Sequence, residues 1–203
     1  MNLYENVIVT DYDGVCAYWE HGFHMWMLSN GYKIVNRGSY DIEDTYDLPV
    51  DKAIMLTQAF NESAALKKLP PVKESIKYIR KLHEEHGYVF HCISAIPNTR
   101  EMYEARMENI HNLFGKTAFE RLTLCGSSKN KKELLKEYKD TGCFWLEDVT
   151  ENANYGLDNG MKCILFDHHY NQNDVLDPHI KRVYNWKEIY SLIEGDRVHE
   201  WYK

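Results

Sequence analysis

"VIVTDYDGVC", residues 7–16, decides how the rest of the chain is read. Val7 to Thr10 is an unbroken β-branched run, the composition of a short buried strand. It stops at Thr10, and two carboxylates, Asp11 and Asp13, follow one residue apart with Gly14 behind them. In an extended turn, alternate residues point to the same side, so Asp11 and Asp13 share a face that Tyr12 does not.

Further apolar stretches lie at Tyr88 to Ser94, Arg121 to Cys125, Cys143 to Leu146 and Met161 to Phe166, each short, β-branched or aromatic, and bounded by turns or polar residues. Between them the spacing predicts helices, one with Val72, Ile76, Ile79 and His83 on one face and another with Tyr103, Met107, Ile110 and Phe114. Asn98 and Glu101 are placed to cap the start of the second of these, and Gly115 to close it. Alternating strands and helices predict an α/β fold, a three-layer Rossmann-like parallel sheet covered by helices on both faces. From Cys16 to Leu69 that alternation is missing and aromatics crowd the first part, at Tyr18, Trp19, Phe23, Trp26 and Tyr32. The reading is therefore a core of residues 1–15 and 70–203, with a small, mostly helical cap, residues 16–69, inserted after the first strand. "LPPV", residues 69–72, marks the return, because two prolines end one helix and favour the first turn of the next.

In an open parallel sheet, ligands bind outside the carboxyl ends of the strands. The residues just past those ends are Asp11 and Asp13, then Ser94, then "GSSKNKKELL" with Lys129, Lys131 and Lys132, then Glu147 and Asp148. An acid pair, a hydroxyl, a lysine and a second acid pair on one rim suit phosphoryl transfer. Carboxylate oxygens with a main-chain carbonyl and waters make a hard oxygen site for Mg²⁺, which takes a substrate phosphate as a further ligand. Asp11 then serves as nucleophile, Asp13 as proton donor and acceptor, Ser94 as a phosphate ligand and a lysine as counter-charge. With Ser128 as N-cap, Lys129 is the first helical residue and Lys131 the third; Lys131 is favoured for its spacing to Leu134 and Leu135, with Lys129 second.

These residues resemble the haloacid dehalogenase superfamily of phosphatases. Its first motif, a hydrophobic strand and DxDx(T/V), is similar to "VIVTDYDGV"; its second, a strand ending in Ser or Thr, to "VFHCISA". The third, a lysine opening a helix, is similar to "SSKNKKELL", and the fourth, a strand ending in an acidic pair, to "CFWLEDVTEN". The resemblance implies Asp11 as nucleophile, Asp13 as acid/base and metal ligand through its main-chain carbonyl, and Asp148 as second carboxylate ligand. Glu147 and Asn152 support the metal from behind, and Ser94, Ala95 and Lys131 meet the phosphate. Within the superfamily, "LPPVKESIKYIRKLHEEHGYVFHCISAIPN" and the tail "YNQNDVLDPHIKRVYNWKEIYSLIE" look most like the 5'(3')-deoxyribonucleotidase group, including phage relatives. That likeness implies a nucleoside monophosphate substrate, a cytoplasmic setting (the host's, if the chain is viral), and a cap whose aromatics pack on the base. Trp19, Phe23 and Trp26 are then either a base platform or the core of the cap.

Each signal alone has a plainer reading. DxD also holds metal and nucleotide-sugar in glycosyltransferases, Ser94 could cap a turn, and the lysines could be solvated helix charges. Receiver domains also gather acids, a hydroxyl and a lysine around Mg²⁺, but a stable phospho-aspartate needs no general base such as Asp13. A silent binding protein would not need both aspartates. The four matches in order at successive strand ends outweigh these alternatives.

Composition narrows the partners. Across 203 residues the net charge is −7, which opposes binding to a nucleic-acid polymer. A small phosphorylated ligand remains open, since one metal or lysine reverses the potential locally. The five cysteines are widely spaced and mostly in apolar runs, a pattern of reduced, buried thiols. His21, His24, His168 and His169 show no metal-ligand spacing and read as surface residues. No apolar run reaches the roughly 20 residues of a spanning helix. A homodimer is compatible with all of this.

Overall fold

The computed structural model describes residues 4–39 and 41–201. Six strands form one sheet: β1 Val7–Thr10, β2 Val89–Ser94, β3 Phe119–Leu124, β4 Phe144–Glu147, β5 Lys162–Phe166 and β6 Lys181–Val183. Their order is β3-β2-β1-β4-β5-β6, and every neighbouring pair is parallel. β1 thus lies between β2 and β4, which is why all four of its residues are buried. The chain winds outward from β1 in one direction through β2 and β3, and from β4 in the other. The switch point of this α/β sheet, where a crevice opens, lies beyond the ends of β1 and β4.

Side chains alternate between two cores, as the two-residue period of a strand requires. Ile8, Phe144, Leu146, Ile164 and Phe166 face one cluster; Val7, Val9, Trp145, Cys163 and Leu165 face the other. Helices α4 Ser75–Glu84, α5 Arg100–Phe114 and α8 Trp186–Trp201 cover the first face. On the second lie α6 Lys131–Leu134 and α7 Thr150–Asp158. This is the expected three-layer α/β arrangement.

Between β1 and α4 lie α1 Trp19–Ser29, α2 Ile42–Tyr46, α3 Val50–Asn61 and a 3-10 turn, Leu66–Lys68. The outgoing and returning chains run side by side: Tyr18 N donates to Pro70 O at 2.8 Å and Val72 N to Cys16 O at 2.9 Å. Phe23 is the centre of the helical segment, stacked on Trp19 at 5.0 Å and edge-on to Phe60 at 5.4 Å and Tyr46 at 6.0 Å.

Three sequence expectations are corrected. β6 went unread because it is a three-residue edge strand with one neighbour. The cap of α5 is Thr99, whose hydroxyl accepts from Met102 N at 3.2 Å, one residue later than the Asn98 and Glu101 pattern predicts. The buried face of α5 is Met102, Ala105, Arg106, Asn109 and Ile110, while Tyr103 is 41% exposed. Two polar residues on that face hid it from hydrophobic periodicity. Among the described residues no helix is long and apolar enough to cross a membrane.

Gly156 tests the packing of α7 on the sheet. A Cβ there would stand 2.4 Å from Trp145 Cδ1 and 2.9 Å from Cys163 Sγ. Propensity alone makes Gly→Ala in a helix stabilising by roughly 0.5–1 kcal/mol. Overpacking costs about 1–3 kcal/mol, so Gly156→Ala is expected to lower the urea midpoint, while Gly195→Ala, with open space around it, raises it or leaves it unchanged. A rise in both would refute the close approach.

Candidate active site

The site forms at the switch point, where β1 and β4 end side by side. Asp11 N donates to Leu146 O at 2.8 Å, extending the ladder one residue past β1 and fixing the backbone that carries the first carboxylate. Asp11 Oδ1 accepts from Tyr12 N at 2.7 Å, and its Oδ2 lies 2.7 Å from Lys131 Nζ. The same ammonium donates to Glu147 Oε1 at 2.8 Å. Lys131 is only 1% exposed, whereas Lys129 lies at the surface, so the buried lysine is the one the spacing favours. It opens α6 directly after a 3-10 turn, Ser128–Asn130, so it is the first helical residue rather than the third of a helix capped at Ser128. The Ser128 hydroxyl is bonded to the Asn152 side chain instead.

Glu147 ends β4 without exposure. Its Oε2 accepts from Asp148 N at 2.7 Å, and its Oε1 also accepts from Asn152 Nδ2 at 2.5 Å. Asp148 accepts from the Tyr170 hydroxyl, and Asn171 Nδ2 donates to the Asp148 carbonyl at 2.7 Å. Gly14 makes room for this carboxylate: its φ is +80°, and a Cβ would fall 1.9 Å from Asp148 Oδ2. His168 Nε2 donates to the Gly14 carbonyl at 2.8 Å while its ring stacks on Tyr170. The loop after β5 therefore braces both the glycine and the acid.

Asp11, Glu147 and Asp148 each place an oxygen within 4.8 Å of the others. Burial, with Asp11 nearby, raises the Asp148 carboxyl to about 6. Burial raises Asp11 and Glu147 as well, against the pull of Lys131. Burial also opposes the charge on Lys131, but Asp11 and Glu147 more than offset it and hold the ammonium above its ordinary range. One ammonium facing three carboxylates leaves an all-oxygen cluster short of positive charge, the donor set of a hard divalent cation.

Asp13 faces elsewhere. Both its oxygens meet Arg106, Oδ1 at 2.8 Å from one terminal nitrogen and Oδ2 at 2.7 Å from the other, and Ser94 Oγ donates to Oδ2 at 3.4 Å. Its carboxylate is outside the three-acid group. Ala95, next to Ser94, lines a cavity of about 270 Å³ with Gln58, Asn61, Glu43 and Gly126.

The aromatic expectation changes. Phe23 has no exposed surface and offers no face to a ligand, so it is core. Trp19 lies flat on Phe23 and donates Nε1–H to Asn61 Oδ1 at 2.9 Å; Trp26 packs against Phe23 and Phe60. Sequence reading missed Arg106, Asn109, His168 and Tyr170. For Arg106 and Asn109 hydrophobic periodicity gave no signal, because they interrupt the buried face they belong to.

No protein-family model matches the chain. A hydrolase of the haloacid dehalogenase-like family from Streptococcus pneumoniae superposes with a TM-score of 0.66 at 12% identity, over 93% of this chain and 98% of that one. The fold is the haloacid dehalogenase-like fold. A haloacid dehalogenase-type hydrolase from Bacillus subtilis, bound to magnesium, gives a TM-score of 0.61 at 8% identity, over 93% and 98% of the two chains. By sequence, an uncharacterized 32.4 kDa protein of enterobacteria phage T4, from the Gp30–rIII intergenic region, is 21% identical over 196 residues, 90% of this chain and 67% of that protein. In the haloacid dehalogenase-like fold, the rim beyond β1 and β4 is where these buried acids converge.

Removing Lys131 strips the cluster of its counter-charge. Lys131→Met is expected to cost about 3–5 kcal/mol, the range for breaking a buried pair. The acids' folded pKa values lie above their unfolded ones, so ionising them in the folded state costs stability as pH rises and returns it as pH falls. The deficit should therefore be larger at pH 7.5 than at pH 5 in urea titrations. A constant deficit would mean that Lys131 stabilises by packing alone.

Proposed function

We propose that the protein is a Mg²⁺-dependent phosphomonoester hydrolase working through an aspartyl-phosphate, with deoxyribonucleoside monophosphates as its substrates. The observation that carries the reading is the buried group of Asp11, Lys131, Glu147 and Asp148 at the switch point, with Asp13, bonded by Ser94, two residues beyond Asp11.

In this reading, Asp11 and Asp148 with the Asp13 carbonyl hold the cation, and Glu147 with Asn152 steadies it from behind. Bound there, Mg²⁺ offsets the charge between a carboxylate nucleophile and a phosphate dianion. An Asp11 oxygen forms the bond to phosphorus as the bond to the leaving oxygen breaks, and Asp13 gives its proton to that oxygen. Asp13 then takes a proton from the water that attacks phosphorus, releasing phosphate and restoring Asp11. Lys131, Ser94 and the chain at Ala95 bind the phosphoryl oxygens. Residues 16–69 act as a cap over this rim, and the leaving group lies in the cavity beside Ala95, Gln58 and Asn61. Amide groups there can meet the edges of a base. The nucleotide reading is further supported by the likeness of the 69–98 and 170–194 stretches to deoxyribonucleotidases.

The test is phosphate release from nucleoside 5'- and 3'-monophosphates and sugar phosphates, with Mg²⁺ or EDTA, beside Asp11→Asn. The expected result is release from deoxynucleotides that falls to background without metal or without Asp11. Turnover of sugar phosphates alone would overturn the nucleotide assignment, and stable labelling of Asp11 without turnover would overturn the hydrolase.

A further inference from the structure

Arg106 lies in the middle of α5 with no exposure, between apolar neighbours on the helix's buried face. A buried guanidinium is tolerated only when paired, and for stability alone an apolar side chain of similar volume is often as good or better. Core packing therefore does not account for an arginine here. Its partner is Asp13, held by two parallel bonds at 2.8 and 2.7 Å, the bidentate geometry that fixes a carboxylate's orientation as well as its position. Among the described residues the Nε of Arg106 is buried without a hydrogen-bond partner, so the hydrogen bonds of this guanidinium go to Asp13.

The rest of the loop is fixed from the same helix. The guanidinium lies 4.4 Å over the Tyr12 ring, and the Tyr12 hydroxyl donates to Asn109 Oδ1 at 2.6 Å. Asn109, three residues beyond Arg106, donates in turn to the carbonyls of Lys67 and Leu69 at 3.2 and 3.1 Å. Asp11 is held by Lys131, Tyr12 by Asn109 and Asp13 by Arg106. Of the three, Asp13 is the most exposed, at 24% of its side chain, and Ser94 Oγ also donates to it, at 3.4 Å.

We infer that Arg106 is a positioning residue for proton transfer: it acts through Asp13, aiming that carboxyl at the leaving oxygen. The inference rests on the hydrolase reading above. A lysine could pair with Asp13 but lacks the planar fork that orients it.

Leaving groups separate this role from a structural one. The ratio kcat/KM reports steps up to departure of the leaving group; p-nitrophenolate departs without a proton, whereas the alkoxide of a deoxynucleoside 5'-monophosphate requires one. Arg106→Met should lower kcat/KM for the nucleotide on the order of 10²-fold, the lower range of acid–base contributions, and that for p-nitrophenyl phosphate by no more than about 3-fold. Arg106→Lys should show the same selective loss to a smaller degree, and it serves alone if the methionine variant fails to fold. In an Asp13→Asn background, Arg106→Met should add nothing, because both changes remove one function. An equal fall with both substrates, or no fall with either, would overturn the inference while leaving the hydrolase standing. Absence of turnover by the wild type would overturn both.

Discussion

The ammonium of Lys131, buried between Asp11 and Glu147, is the interaction on which the site depends. Three carboxylates cannot sit this close to one another and this far from water unless some of their charge is met. Lys131 meets part of it and in doing so joins the ends of β1 and β4 to the helix that follows β3. The burial that pushes Asp148 up to about 6 also encloses Asp11 and Glu147. The donor set that suits a hard cation and the raised carboxyls of the cluster are thus two results of one charge imbalance.

The sheet order makes this possible. Because β1 and β4 are neighbours whose chains wind away in opposite directions, the loops beyond them part and leave the crevice open. Asp11 continues the β1–β4 ladder, so its placement is as rigid as the sheet. Asp148 has no such ladder beyond Glu147. It is steadied by Tyr170 and Asn171, and that loop is tied in turn by Arg182 to Asp167 and Asn171. The tail contributes again through Trp186, whose Nε1 donates to Val15 O at 2.8 Å just past the acid loop.

What could be read in the sequence followed from position along strands. Asp11, Ser94 and Asp148 each stand at or just past a strand end, and Lys131 opens the helix that follows β3, in a pattern that strand composition and turn residues expose. The likeness to haloacid dehalogenase motifs rests on the same positions. Arg106 and Asn109 could not be read this way, because polar residues on a helix's buried face erase the periodicity that would locate the face. The Phe23 ring was ambiguous for a different reason: an aromatic cluster has the same composition whether it lines a ligand site or fills a core. Only the packing of Trp19, Tyr46 and Phe60 around it decides. β6 escaped because three residues paired on one side carry too weak a pattern.

The residues that sequence reading missed are those that join elements. Asn109 connects the Tyr12 hydroxyl to the carbonyls of Lys67 and Leu69, so the acid loop and the chain returning from the helical segment share one side chain. On the outgoing side, Glu20 of α1 lies 3.7 Å from His169, next to the tyrosine that holds Asp148. Residues 19–69 are therefore tied to the carboxylate rim at both ends, once through the Asp11–Asp13 loop and once through the loop after β5. A displacement of that segment relative to the sheet would be felt at Tyr12 and at the loop bearing Tyr170 before it reached any strand. The polar residues on the inner face of α5 make that connection, and an apolar face there, however well packed, would not.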